Sequence, residues 1–326
     1  MHRIWRTRGP VAWLLSPLSL IFMAEAARRR RNARPRRLPV PVIVIGNIYV
    51  GGTGKTPVTI ALVEALKRSG RHPAVVSRGY GRSDDAVREV NASSQASAAG
   101  DEPLLIAKST GVPVAVGRDR YAAGMLLLKE HPETDVVISD DGLQHYALAR
   151  DVEVAVVGAR GLGNGWVLPA GPLREPPSRL DAVDAIVLNA TTETFGTPVP
   201  RYAATARLGL ARRLDGSAPV SLESIAQNGS RVLAAAGIAA PERFFNMLAA
   251  RGLQPRTLAL PDHFDFKSDP FAGSDAEVVL VTAKDAVKCA QNPQIAADSR
   301  IRYVELEVEL DPFFVQFIER KLADLA

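Results

Sequence analysis

The residues with the clearest chemistry lie in a glycine-rich segment, Tyr49-Val50-Gly51-Gly52-Thr53-Gly54-Lys55-Thr56. An apolar run, Val42–Ile45, precedes it, and a segment of helical character, Val58–Ser69, follows. A strand, a glycine loop and a helix that opens with Gly-Lys-Thr bind nucleotide phosphates, because glycines let backbone N–H groups approach the phosphate oxygens. We therefore expect these residues to bind ATP, although Tyr49 stands where the strict pattern has its first glycine.

Two residues of this segment have specific roles in that arrangement. The Lys55 ammonium group would reach the β- and γ-phosphates, and the Thr56 hydroxyl would ligate Mg²⁺. The apolar strand Val136–Ser139 ends in Asp140 and Asp141 and has the form of the acidic strand end that assists Mg²⁺ in such enzymes. We expect at least one of the two carboxylates to be a metal ligand, while a turn-forming role remains open.

Further polar residues follow predicted strands or lie in loops. Arg78 and Arg174 could hold a phosphate, and a solvated loop explains each of them equally well. Gln144 and His145 come just after the acidic pair, so they are well placed to contact substrate. Two more candidates are weaker from spacing alone. Helix capping accounts for Asp101, and a loop position accounts for His263.

Composition separates the two ends of the chain. Residues 1–37 contain ten arginines and one glutamate, whereas the whole chain of 326 residues has a net charge of only +5, so the remainder is net negative. This distribution argues against a nucleic-acid partner and favours a basic arm or a membrane-facing segment. The single cysteine, Cys289, excludes an internal disulfide and fits a reducing compartment. No obligate protein partner is indicated.

The N-terminal segment is mostly apolar from Val11 to Ala24 and is followed by Arg28-Arg29-Arg30-Arg31. It is short for a membrane span, which needs about 20 apolar residues. An interfacial helix, whose apolar face enters the headgroup region while the arginines meet anionic lipid, is favoured. A cleaved signal peptide and a core-packing helix with a solvated basic linker are the alternatives.

The rest of the chain alternates apolar runs with helical patterns, which predicts an α/β fold with a mostly parallel sheet and helices on both faces. A second, smaller α/β unit follows a stretch punctuated by prolines. We therefore predict a membrane-associated segment at 1–38, a phosphate-binding-loop domain at 39–195, linker strands at 196–230 and the smaller unit at 231–326. The predicted strands are Val42–Ile45, Ala74–Ser77, Val112–Val116, Val136–Ser139, Val152–Val157, Ala185–Leu188, Tyr202–Leu208, Val232–Ala235, Thr257–Leu260, Val278–Thr282 and Tyr303–Val308.

Taken together, the motifs resemble those of the tetraacyldisaccharide 4′-kinase family of lipid A biosynthesis, over nearly the whole chain. The segments that carry the resemblance are Gly46-Asn47-Ile48, residues 50–57, Ser77-Arg78-Gly79-Tyr80-Gly81, Gly100-Asp101-Glu102-Pro103, residues 139–145, Gly163-Asn164-Gly165, residues 168–175, Pro261-Asp262-His263 and residues 284–289.

The resemblance implies a P-loop enzyme at the cytoplasmic face of the bacterial inner membrane. It would transfer the ATP γ-phosphate to the 4′-hydroxyl of tetraacyldisaccharide 1-phosphate and form lipid IVA. The family's catalytic Asp–His pair maps onto Asp101 and His263, so Asp101 would accept the hydroxyl proton while His263 orients it. Two positions depart from the family pattern: Ala283 replaces a glutamate, and Phe264 stands where a second histidine is frequent.

A membrane-associated ATPase switch that does not phosphorylate lipid is the main alternative. The dimerising switches carry a lysine just before the first glycine of the loop, and here that residue is Val50. A non-catalytic lipid-binding module is a third possibility, but it leaves the glycine loop and the acidic strand end unexplained.

Overall fold

The computed structural model describes residues 4–191 and 196–325, so the predicted domain limits at residues 1, 195 and 326 lie outside it. The strands are β1 (Val42–Gly46), β2 (Pro73–Ser77), β3 (Arg88–Val90), β4 (Val114–Val116), β5 (Val136–Ser139), β6 (Val152–Gly158), β7 (Ala185–Asn189), β8 (Arg201–Arg213), β9 (Val232–Ala236), β10 (Arg256–Ala259), β11 (Val278–Thr282) and β12 (Ile301–Leu310). The helices are α1 (Pro10–Arg31), α2 (Lys55–Arg68), α3 (Ala96–Ala99), α4 (Asp101–Thr110), α5 (Arg120–Glu130), α6 (Leu222–Gln227), α7 (Pro241–Ala250), α8 (Ala283–Cys289), α9 (Pro293–Ala296) and α10 (Pro312–Ala323), with short 3₁₀ turns at Ile4–Arg6 and Pro177–Ala182.

The described strands form one sheet in the order β10-β9-β11-β12-β8-β7-β6-β1-β5-β2-β4-β3. Neighbouring strands run parallel except at β8–β12 and β3–β4. The central strands are buried on both faces, which explains their continuous runs of valine and isoleucine. Leu62 of α2 and Ile106 of α4 pack on one face, and Leu127 of α5 packs on the other. The predicted α/β fold with helices on both faces is confirmed.

The long antiparallel pair β8–β12 sets the geometry of the two halves. The last residue of β7, Asn189, pairs with Ala204 of β8. The last residue of β11, Thr282, pairs with Val304 of β12, which in turn pairs with Ala211 of β8. Strands β9 to β12 therefore run opposite to β7 and β8, and the end of β11 lies seven residues further along β8 than the end of β7, roughly 23 Å away. As a result, the carboxyl ends of the two sets of strands face each other across a cleft.

Some predicted boundaries differ from the observed ones. The predicted linker strand Tyr202–Leu208 is part of a 13-residue strand that belongs to the sheet. The strand predicted from Val112 begins at Val114, and the short edge strand β3 was not predicted. The two halves share one continuous sheet, and their division into separate domains stays a prediction.

Helix α1 extends well beyond the apolar run that predicts it. It spans 22 residues, includes Pro17 and ends within the arginine run. Ser19 docks it onto the body, since its hydroxyl donates to the Val167 carbonyl (2.8 Å) and accepts from the Ala170 amide (3.1 Å). By length and composition alone α1 could cross a membrane, and 11% of its most apolar window is buried.

Candidate active site

The glycine loop connects β1 to α2, at the carboxyl edge of the first half of the sheet. Gly54 has a φ of +83°, and a Cβ at that position would overlap the Asn189 side-chain amide. That amide donates to the Thr53 carbonyl (2.9 Å), and the Asn47 amide donates to the Thr53 hydroxyl (2.9 Å). Two asparagines from outside the loop therefore hold its backbone in place, which leaves the Lys55 end of the loop at the N-terminus of α2.

Lys55 projects towards the acidic strand end. Its Nζ lies 3.5 Å from the Asp141 carboxylate, and Arg174 Nη1 lies 3.2 Å from the same oxygen. Burial favours the neutral acid, but the charges of Lys55 and Arg174 outweigh it and hold the pKa of Asp141 below its ordinary value. Asp141 is therefore an ionised partner of two cations in this structure, and its predicted role as a metal ligand is not tested.

Asp140 has a different environment from its neighbour. It is fully buried, accepts a hydrogen bond from the Thr59 hydroxyl (2.8 Å), and its second oxygen, Oδ2, has no hydrogen-bond partner among the described residues. Burial, together with the charges of Glu102 and Asp141, raises the pKa of Asp140 to about 7. A cation next to this oxygen would relieve both the missing bond and the desolvation cost.

This environment fits a magnesium ion with few protein ligands. Thr56 is buried and is the second residue of α2, which follows β1. Because β1 and β5 are parallel neighbours, the Thr56 hydroxyl and the Asp140 carboxylate lie at the same sheet edge. No group of three His, Cys, Asp or Glu side chains within residues 4–191 and 196–325 could hold a metal by itself. Nucleotide phosphates and water would have to supply the remaining ligands, as Mg²⁺ usually requires.

Asp101 and His263 meet across the cleft. The distance between His263 Nδ1 and Asp101 Oδ2 is 3.0 Å, although the residues are 162 positions apart in the chain. Asp101 is the first residue of α4, and His263 lies in the loop after β10 with a φ of +60°. The His263 amide donates to the Gly237 carbonyl (3.1 Å), which fixes this unusual backbone conformation.

Two lysines of α8 complete this cluster. Lys288 Nζ donates to Asp101 Oδ2 at 3.0 Å, and Lys284 Nζ lies 3.4 Å from Glu102 and 3.5 Å from His263 Nε2. Burial alone would raise the pKa of Asp101. The hydrogen bond with His263 and the charge of Lys288 have a larger, opposite effect, so the pKa lies below its ordinary value. Asp101 is therefore ionised at neutral pH, as a proton acceptor must be.

The four predicted substrate residues lie together near the acidic pair. Gln144 donates to the Asn47 carbonyl (3.0 Å) and accepts from Arg174 (3.2 Å). Burial, with the nearby charge of Arg120, lowers the pKa of His145 to about 4, so this side chain is neutral at pH 7. Arg78 lines the same cavity as Gln144, His145 and Arg174.

One large cavity, with a volume of about 1700 Å³, connects these groups. Its walls include the glycine loop, the four predicted substrate residues, His263 and Lys284. Leu18, Ile21 and Phe22 of α1 form an apolar part of the same wall and are largely exposed. The structure thus brings together the nucleotide loop, the polar cluster around Asp101 and an apolar helix face.

Sequence reasoning missed several residues that shape this site. Asn47 lies two positions before Tyr49 and belongs to a motif that carries the resemblance, whereas Asn189 is distant from the loop in the chain. Lys284 and Lys288 stand out in the sequence only as part of a motif. Lys288 follows Lys284 by four residues, and this spacing predicts that both lysines lie on one face of helix α8. Nothing in the sequence spacing points to Asn189, which lies 136 positions from its partner Thr53.

Comparison with known proteins agrees with this arrangement. The family model described as tetraacyldisaccharide-1-P 4′-kinase matches residues 11–323. The chain belongs to this family. A tetraacyldisaccharide 4′-kinase of Herminiimonas arsenicoxydans is 48% identical, with 98% of this chain and 94% of the relative covered. One from Dechloromonas aromatica is 47% identical, with 99% and 97% covered.

A solved structure extends the likeness to three dimensions. The crystal structure of LpxK from Aquifex aeolicus in complex with ATP has a TM-score of 0.82 to this chain at 28% identity, and the match covers 96% of this chain and 99% of the other. The predicted family and the predicted P-loop-type fold are confirmed. The roles of individual site residues stay predictions.

Proposed function

We propose that this member of the tetraacyldisaccharide 4′-kinase family transfers the γ-phosphate of ATP to the 4′-hydroxyl of tetraacyldisaccharide 1-phosphate, which yields lipid IVA for lipid A biosynthesis. The observation that carries the proposal is the shared cavity. The glycine loop, the neighbourhood of Asp101 and the exposed apolar face of α1 open onto the same space of about 1700 Å³. Such a space accommodates a nucleotide and the head of a lipid side by side.

The loop residues account for nucleotide binding. The backbone of residues 49–56 and the N-terminus of α2 would hold the phosphates, and Lys55 would neutralise charge on the β- and γ-phosphates. Thr56 and Asp140 would hold Mg²⁺, because a hard cation prefers oxygen ligands and one Asp140 oxygen is buried without a partner. When bound, Mg²⁺ supplies charge neutralisation on the transferring phosphoryl group.

Asp101 is the candidate proton acceptor for the sugar hydroxyl. His263 donates to one of its oxygens, which fixes the carboxylate plane and leaves the other oxygen for the hydroxyl. Phosphoryl transfer asks mainly for positioning and charge neutralisation, so a modest, well-oriented base suffices. The candidates for binding the sugar and its 1-phosphate are Arg78, Gln144, His145 and Arg174.

Helix α1 supports a position at the membrane surface. Trp13, Leu14, Leu20 and Ile21 are each more than 60% exposed, which is unusual for large apolar side chains in water. The arginines at the end of the helix would meet anionic headgroups. We infer that the enzyme binds the cytoplasmic face of the inner membrane, since an acylated substrate cannot leave the bilayer without exposing its chains at about 0.8 kcal/mol per CH₂.

An ATP turnover assay with and without the acylated disaccharide tests the activity. Turnover that depends on the lipid, together with a product phosphorylated at the 4′ position, supports the kinase. Turnover that is independent of lipid and yields only inorganic phosphate would support the ATPase switch instead.

Sedimentation with vesicles that contain anionic lipid tests the membrane face. We expect Leu14→Ser/Ile21→Ser to reduce the bound fraction, whereas Met125→Ser, which alters a 40%-exposed methionine on α5, should not. Equal binding by both variants would exclude the apolar face of α1 as the anchor.

A further inference from the structure

We propose that Lys288 positions the catalytic base: together with His263 it fixes Oδ2 of Asp101, so that Oδ1 is the oxygen that takes the proton. This inference rests on the proposed function and adds a residue to it. The sequence marks Lys288 only by its place in the motif of residues 284–289 and by its four-residue spacing from Lys284. The geometry points to it directly, because its Nζ and His263 Nδ1 both lie 3.0 Å from the same carboxylate oxygen.

The surroundings of Lys288 suit a fixed positioning group. Its side chain is only 8% exposed, and Asp101 is 12% exposed, so water screens their attraction little. The Lys288 ammonium group also lies 5.7 Å from the centre of the Phe266 ring, and Phe266 is itself buried. If a lysine packed in this way moved its charge elsewhere, the buried Asp101 carboxylate would lose its direct cation partner and keep only the hydrogen bond with His263.

The charges around Asp101 come from each element packed against it. The loop after β10 brings Asp262 and His263, and the centre of the Tyr80 ring lies 5.5 Å from that of the His263 ring, with the two rings tilted by 50°. Helix α8 brings Lys284 and Lys288, and Glu102 of α4 pairs with Lys284 at 3.4 Å. Lys284 is therefore largely neutralised by Glu102, whereas Lys288 is aimed at Asp101 itself. Against the effect of burial, the hydrogen bond with His263 and the charges of Lys288 and Lys284 hold the pKa of Asp101 below its ordinary value, and Lys288 is the lysine in direct contact with Asp101.

Two donors on one oxygen leave the second oxygen distinct. Oδ1 of Asp101 accepts neither of these bonds and is the less encumbered, more basic oxygen. A substrate hydroxyl would approach Asp101 from the cavity that the glycine loop and His263 line. Because two groups fix Oδ2, loss of either one alone should leave a partly oriented base.

A double-mutant cycle tests this inference. We expect Lys288→Met to lower kcat about tenfold while the KM for ATP is unchanged, since the change misplaces the base without touching the phosphate loop. Lys288→Arg should restore most of the rate because it keeps the cation. In an Asp101→Asn background, Lys288→Met should cost nothing further, since Lys288 acts only through that carboxylate.

The pH profile supplies a second readout. Removal of the Lys288 charge raises the pKa of Asp101, so the acid limb of kcat/KM should move upwards by about one pH unit. The variant should therefore lose more activity at pH 5 than at pH 8. The matched control is Lys321→Met, which removes a lysine paired with Asp184 at 2.8 Å outside the site. It should leave the acid limb of the kcat/KM profile at the pH of the wild-type protein.

Three results would overturn the inference. The first is an equal loss at every pH that persists in the Asp101→Asn background, which would mean a structural role. The second is a rise in the KM for ATP with unchanged kcat. The third is wild-type activity in Lys288→Met. Failure of the proposed function is distinguishable, because the wild-type protein would then form no 4′-phosphorylated lipid at all.

Discussion

The phosphate loop and the Asp101–His263 pair place charge in the same cavity but are built in opposite ways. The loop consists of eight consecutive residues, 49–56, which follow β1 and end in the first turn of α2, and their order in the sequence predicts their chemistry. The pair unites residues 162 positions apart, one from each half of the sheet. The first depends on local backbone geometry, and the second depends on how β8 and β12 set the two halves against each other.

This contrast has a consequence for function. The loop takes its phosphate-binding groups from neighbouring residues, although Asn189 at the end of β7 helps to hold its backbone in place. A base formed across a cleft exists only while the two carboxyl edges face each other. The lipid kinase reaction therefore depends on the second region more than nucleotide binding does, and variants of the two regions should fail in different ways.

The largest effect is expected from Lys55→Met. Loss of the ammonium group removes charge neutralisation at the phosphates, so kcat should fall about a thousandfold. The measurement is transfer of labelled γ-phosphate to the lipid. Lys67→Met is the control, because Lys67 lies on the same helix but pairs with Glu64 at 2.9 Å on the surface. Unchanged product formation by Lys55→Met would exclude the loop as the phosphate site.

The role of the first region is predicted from the residues themselves, and that of the second region only through resemblance. Residues 49–56 can be recognised in the sequence because phosphate binding needs closely spaced glycines, a lysine and a threonine. Asp101 could not be separated from a helix cap, and His263 could not be separated from a surface loop residue, since neither spacing nor composition encodes the pairing of β8 with β12. The roles of these two residues stay predictions, although the structure brings their side chains into contact.

The fold followed the same pattern. Buried parallel strands such as β1 and β6 were predicted because they are continuous apolar runs. The prolines around β8 predict only a short linker strand there. In the structure every third or fourth residue of β8 is buried, so its sequence has neither a continuous apolar run nor a clean alternation that would indicate the full strand. Its length is what separates the two edges, so the cleft itself could not be inferred.

The second-largest effect is expected from Asp101→Asn. The amide keeps the shape of the side chain but cannot accept the hydroxyl proton, so kcat should fall about a hundredfold or more. The dissociation constant for ATP, measured by calorimetry, should stay unchanged because the loop is intact. Asp265→Asn serves as the control, since Asp265 is 58% exposed and pairs with Lys267.

A parallel loss of ATP affinity in Asp101→Asn would contradict the separation of the two regions. It would mean that the carboxylate shapes the nucleotide site as well as the acceptor site.

A smaller effect, on stability, distinguishes two glycines within the loop. Gly54→Ala should lower the free energy of unfolding by about 2 kcal/mol, because alanine is strained at positive φ and its Cβ overlaps the Asn189 amide. Gly52→Ala should change it little, since a Cβ there has no neighbour within 4 Å. Urea unfolding of the two variants measures the difference, and equal midpoints would show that the loop backbone relaxes freely.

The smallest expected effect bears most directly on the contrast between the regions. Asn189, at the end of β7, donates to the Thr53 carbonyl at 2.9 Å, so a residue distant in the chain helps to hold the loop backbone. Asn189→Ala removes one neutral hydrogen bond worth about 1 kcal/mol and should raise the KM for ATP about fivefold while kcat changes less. Asn91→Ala, in an exposed turn, is the control. If Asn189→Ala instead lowered kcat as Asp101→Asn does, the loop would be an assembled structure too, and the distinction between a locally encoded site and one built across the cleft would no longer hold.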